Sequence, residues 1–147
     1  MRNRGFTIIE LLIVIAVITI LVGLALPRFK GMQDEGNIVK AKGELRTLQS
    51  AVESCYIHSG NTYPSALSNL TSQTPQLVAT LPTDPFNVGN NYGYAVTTNG
   101  KYYLIYSVGP AGGGSATVSA SGTITETNGT SCIYASNAGS DLSLIHI

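Results

Sequence analysis

The sequence predicts an α+β fold: a long kinked N-terminal α-helix whose second half packs on a small antiparallel β-sheet. Three observations predict it. An uninterrupted apolar run opens the chain, an amphipathic stripe at helical spacing follows, and the carboxyl half alternates short apolar runs with turn residues. The length, 147 residues, suits one small domain plus the opening helix.

The first element begins with a basic leader, Met1-Arg2-Asn3-Arg4-Gly5, followed by Phe6-Thr7-Ile8-Ile9-Glu10. From Leu11 to Leu26 only Thr19 and Gly23 are not apolar. As a helix, Phe6 to Leu26 would be about 31 Å long, close to the ~30 Å of a hydrocarbon core. Arg2 and Arg4 place the N-terminus in the cytoplasm. A secretory signal peptide fits poorly, because the run is long and Ala25-Leu26-Pro27 is a poor cleavage site. A plain anchor has no use for Glu10, since a carboxylate in hydrocarbon is costly and marks a function.

The string Arg4-Gly5-Phe6-Thr7-Ile8-Ile9-Glu10-Leu11-Leu12-Ile13-Val14 closely resembles the N-terminal signal of type IV pilins and type II secretion pseudopilins. The resemblance implies cleavage between Gly5 and Phe6 by a membrane prepilin peptidase, then N-methylation of Phe6. It implies that Glu10 docks on the N-terminal amine of an adjacent subunit, and that Pro27 interrupts the helix. Physically, such a pair would compensate two buried charges at once and set the register between helices. The organisation is then a leader at 1–5 and a transmembrane and filament-core helix at 6–27. An amphipathic helix follows at 28–58, and a loop region with an antiparallel sheet at 59–147.

Pro27 lacks an N–H and clashes with the preceding turn, which predicts a kink. Beyond it, Ile38, Ala41, Leu45, Leu48, Val52 and Cys55 recur at alternating spacings of three and four, an apolar stripe on one helical face. The stripe needs a sheet, or a coiled-coil partner for which few heptads are present. Gly60-Asn61 and Pro64 end the helix.

The carboxyl part is nearly free of charge: after Glu53 only Asp84, Lys101, Glu126 and Asp141 are ionic. Ser65 to Leu70 reads as a short helix within a loop region. Tyr92, Tyr94 and Val96 alternate as a strand, Asn99-Gly100 marks a hairpin, and Tyr102 to Val108 returns. Val118, Ile124 and Ile133 mark further strands, with Asn128-Gly129 as another turn. The expectation is an antiparallel sheet of three to five strands packed on the helical stripe.

This half is similar to the major pseudopilin of type II secretion through Leu81-Pro82-Thr83-Asp84-Pro85-Phe86, Tyr92-Gly93-Tyr94 and Tyr103 to Gly109. In that relative a Ser-x-Gly-x-Asp-Gly loop helps hold calcium. Here the loop reads Ser107-Val108-Gly109-Pro110-Ala111-Gly112, with Ala111 in place of the carboxylate that calcium requires. No metal or cofactor is expected.

Cys55 and Cys132 suit one disulfide in an oxidising compartment, or else two buried thiols. His58 and His146 sit in no triad or metal spacing, and no nucleophile, base and orienter assemble. Zero formal net charge and 11% charged residues exclude a basic nucleic-acid binder. Leu142 to Ile147 resembles a translated sequencing-adapter end, so nothing is drawn from it.

These readings describe a structural filament subunit and not an enzyme. The resemblance favours a type II secretion pseudopilin that drives protein export. A type IV pilus major subunit, or a membrane-anchored minor tip module that binds a ligand, is the alternative. The implied partners are copies of the chain, related pilin-like subunits, the peptidase, an inner-membrane assembly platform and the membrane itself. The implied location is the bacterial inner membrane as a single-pass precursor, and then a periplasmic or cell-surface filament.

Overall fold

The computed structural model describes residues 6–127 and 132–138. The leader 1–5, the Asn128-Gly129 turn and the residues from 139 onward lie outside them. The long helix, α1, spans Ile8–His58 and runs on through Pro27. Contacts divide the chain into two units, Met1–Gly36 and Asn37–Ile147.

Within the first unit, α1 carries no charged residue from Leu11 to Leu26. Ile8, Ile9, Leu11, Leu12, Ile13 and Leu24 are all more than half exposed. Among the described residues of the unit nothing covers them, so this apolar stretch is exposed on all sides. It is long and apolar enough to cross a membrane by length and composition.

The second unit holds the core. The predicted stripe is the buried face of α1: Ala41, Leu45, Leu48, Val52 and Cys55 are buried, with Ile38 packed against them. Ala51 joins them. The helix stops where the turn residues predict. Gly60 takes φ +69° and Asn61 φ +63°, and the Asn61 amide donates back to the Tyr56 carbonyl at 3.0 Å. This left-handed ending closes the orphan carbonyls of the last turn.

The short helix predicted over Ser65 to Leu70 lies slightly later, as α2, Asn69–Ser72. Tight turns precede it: Asn69 donates to the Ala66 carbonyl and Leu70 to that of Leu67. Buried Leu67 and Leu70 pin the segment to the core.

Strands β1 (Gly93–Val96), β2 (Tyr103–Ser107) and β5 (Ile133–Ser136) form an antiparallel sheet in the order β1-β2-β5. The Asn99-Gly100 hairpin is present, with Val96 opposite Tyr103 and the Thr97 amide donating to the Tyr102 carbonyl at 2.9 Å. Gly100 adopts φ +65°, a conformation that favours glycine. Gly93 is constrained by space instead: the Tyr106 ring lies over it, and an added Cβ would sit 2.2 Å from the ring.

The sheet on the helical stripe has three strands, the lower end of the three to five expected, and the remaining two strands do not extend it. Strands β3 (Ser115–Val118) and β4 (Ile124–Thr127) make their own two-stranded sheet. Alternation explains the arrangement. Tyr103, Ile105, Ile133 and Ala135 face α1, whereas Leu104, Cys132 and Tyr134 face the β3–β4 hairpin through Ala116, Val118 and Ile124. The β1-β2-β5 sheet is thus covered by the helix on one face and by the hairpin on the other.

The same alternation overturns the disulfide. Cys55 belongs to the helix-side cluster and Cys132 to the hairpin-side cluster, and both are free buried thiols. Cys55 Sγ lies 3.3 Å from Gln73 Oε1, and the Cys132 thiol donates to the Ser107 carbonyl at 3.3 Å.

Candidate functional site

The start of α1 is the first candidate. Thr7 caps the helix: its Oγ1 accepts from the Glu10 amide at 3.3 Å. Glu10 reaches back, and its Oε2 accepts from the Thr7 amide at 3.1 Å and from Thr7 Oγ1 at 2.9 Å. This is a capping box, in which the helix start and its carboxylate hold one another. The sequence signal, Thr-x-x-Glu before an apolar run, was legible and the reading above missed it. Both bonds fall on Oε2, so Oε1 stays available among the described residues. Phe6, immediately before the cap, is 74% exposed. Gly5, the other half of the proposed cleavage site, lies outside the described residues.

The arrangement presents a fixed carboxylate one turn into a helix that is otherwise apolar and uncovered. Its chemistry is association: a cation brought to Oε1 would pair with Glu10 while the surrounding side chains lose contact with water or lipid. Further along, a shallow groove is lined by Leu21, Leu24, Ala25, Arg28, Phe29 and Met32. It is the space between side chains of one helix and carries no acid, base or nucleophile.

The second candidate is the loop after β2, the stretch for which the resemblance raised a calcium site. Asp84 is buried, and both carboxylate oxygens are engaged. Oδ1 accepts from Ser107 Oγ at 2.7 Å and from the Phe86 amide at 2.9 Å, and Oδ2 accepts from the Val108 amide at 2.9 Å. The loop carbonyls are used as well. Val108 O accepts from the Gly114 amide at 3.0 Å and Gly109 O from the Gly112 amide at 2.9 Å. Calcium takes six to eight oxygen ligands, usually with several carboxylates. Here one carboxylate is present and already satisfied, and no cluster of three or more ligating side chains exists among the described residues. The site does not fit a calcium ion.

Two further carboxylates join α1 to the sheet. Glu53 accepts from the Tyr103 hydroxyl at 2.8 Å and from Tyr63 at 3.3 Å, while Glu44 accepts from Tyr92 at 2.6 Å. Burial first, and then the Glu53 charge, push the Tyr63 hydroxyl up to about 12. Tyr103 and Tyr92 move the same way, again by burial and then by their bonds to Glu53 and Glu44. These tyrosines are fasteners. His58 is occupied locally, its Nδ1 donating to the Ser54 carbonyl at 2.7 Å.

A long helix with an uncovered apolar first part and a sheet packed on its second part defines the pilin-like class of proteins. Residues 1–26 match the prokaryotic N-terminal methylation motif, and residues 28–126 match the type II secretion system protein G family. The chain belongs to that family. It is 33% identical over 126 residues to the type II secretion system core protein G of Pseudomonas aeruginosa, covering 76% of this chain and 86% of that one. It is 30% identical over 127 residues to the corresponding protein of Pectobacterium carotovorum, covering 76% and 78%. It is also 36% identical over 96 residues to the type IV major pilin protein PilA of Myxococcus xanthus, where it covers 65% of this chain but spans only 38% of the pilin's length. No solved structure matches the chain.

Proposed function

We propose that this chain is a structural subunit of a type II secretion pseudopilus and has no enzymatic role. A membrane-inserted precursor, oriented with Arg2 and Arg4 in the cytoplasm, is cut between Gly5 and Phe6 by a prepilin peptidase, and Phe6 is then N-methylated. An inner-membrane platform passes the helix into a periplasmic filament of copies of this chain and related pilin-like subunits. Growth of that filament drives protein export.

The observation that carries this reading is the pairing of Glu10 with its surroundings. Among the described residues its Oε2 is held by Thr7 and its Oε1 is unengaged, on a helical stretch, Ile8 to Leu26, whose large apolar side chains are exposed. The new amine at Phe6 of a neighbouring copy supplies the missing cation. Burial of the apolar helices among their copies is the main association term, at roughly 25 cal/mol per Å² of area removed. Pro27 is where the helix bends or melts as it leaves the bilayer. Similarity to the Myxococcus pilin supports a second reading, a type IV pilus subunit with the same docking chemistry.

Two substitutions separate charge from capping. Glu10→Gln keeps an oxygen for Thr7 and removes the charge, whereas Thr7→Ala removes the cap hydroxyl and keeps the charge. Both variants should be processed to the mature size. Filament incorporation should fall at least tenfold for Glu10→Gln and stay within about twofold of wild type for Thr7→Ala, since caps contribute only modestly. Normal incorporation of Glu10→Gln would sink the docking role.

A further inference from the structure

We propose that the fold of this chain is independent of divalent cations, because the Asp84 carboxylate closes by hydrogen bonding the loop that its relative closes around calcium. The inference concerns the sheet unit alone and does not rest on the filament role. Its observations are three. The loop has Ala111 where the relative's motif has a carboxylate. The buried Asp84 receives three neutral donors, two of them from the end of β2 and the start of the loop itself: Ser107 Oγ and the Val108 amide. The loop then closes on its own backbone, with Gly112 bonded to Gly109 and Gly114 to Val108, and Gly114 is packed so that a Cβ would lie 2.7 Å from the Val108 carbonyl oxygen.

The hydrogen bonds among them occupy atoms that a cation would need. The Ser107 hydroxyl donates to Asp84 and accepts from the Gly109 amide at 3.2 Å, which commits its proton and a lone pair. Both Asp84 oxygens point at amide or hydroxyl hydrogens, an arrangement that satisfies a buried carboxylate without a counter-ion. The 81–86 segment is fixed on its other side by the Thr83–Asn91 bridge and by the Asp84 amide donating to the Asn90 carbonyl at 2.9 Å. Asp84 thereby ties the loop before β1 to the loop after β2, across the strand pair that carries the helix.

The test is thermal unfolding of the full chain in detergent micelles, followed by the near-ultraviolet circular dichroism of its tyrosines, in millimolar calcium chloride and in excess EGTA. The midpoints should coincide within about 1 °C. A higher midpoint in calcium overturns the proposal; for a site filled a hundredfold above its Kd the rise would be roughly 10 °C or more. Ser107→Ala should lower the midpoint by roughly 5 °C or more, equally in calcium and EGTA. An unchanged midpoint for that variant, or its rescue by calcium, would also overturn the proposal.

Discussion

Replacing Tyr103 by Phe removes one hydroxyl and keeps a fully buried ring in place. That hydroxyl donates to Glu53 Oε1 at 2.8 Å, so the lost bond joins β2 to α1 and ends on a charge. Bonds to charged groups contribute about 1.5–3 kcal/mol. Glu53 keeps the Tyr63 hydroxyl at 3.3 Å, so the carboxylate is not stranded and the lower part of that range applies. The expected loss is about 1.5–2 kcal/mol, or roughly 5–10 °C in melting midpoint for a unit of this size. The assay is a thermal melt of the full chain in micelles near neutral pH. Combining the variant with Glu53→Ala should give less than the sum of the single losses, because both remove the same bond. A Tyr103→Phe midpoint within 1 °C of wild type, or strict additivity of the pair, would refute the view that this bond fastens helix to sheet.

Alkaline pH attacks the same fasteners. The Tyr63 hydroxyl is held at about 12 in the folded chain, above the ordinary tyrosine value near 10, so the unfolded chain gives up its proton first. The stability tied to these groups is therefore complete below pH ~10 and is lost as pH rises from about 10 through 12. A urea midpoint measured across that window should fall, and should fall less steeply in the Tyr63→Phe, Tyr103→Phe double variant. Gly93→Ala should destabilise the sheet by about 1–3 kcal/mol, because the Tyr106 ring must leave its place over the strand. An unaltered urea midpoint for that variant would show that the ring gives way freely.

Much of this architecture was legible because it is written in periods. The stripe from Ile38 to Cys55 repeats at helical spacing and is the face that the sheet buries. Asn99-Gly100 marks a turn because few other pairs tolerate the backbone it needs. Division into two sheets was harder to read, though a trace existed. Tyr103-Leu104-Ile105 is apolar without alternation and buried throughout, as a strand covered on both faces should be. Polar strands such as Ser115–Val118 and Ile124–Thr127 do not announce which face they cover. The cysteines misled because their number says nothing about parity: Cys132 stands next to Ile133, and neighbours on a strand face opposite ways. At the functional end, Glu10 stood out by its cost in an apolar run, while its partnership with Thr7 needed the helix boundary. Asp84 stood out in the sequence only as one of few charges and within a stretch similar to the major pseudopilin, and only the fold brings Ser107 and Val108 to it.

The most direct test of the central claim is the intact mass of the chain recovered from washed membranes and from material sheared off the cell surface. The account predicts a membrane-associated species that begins at Phe6 and carries one N-methyl group, with Gly5→Ala remaining at precursor size. A wild-type chain still beginning at Met1 in both fractions would contradict it.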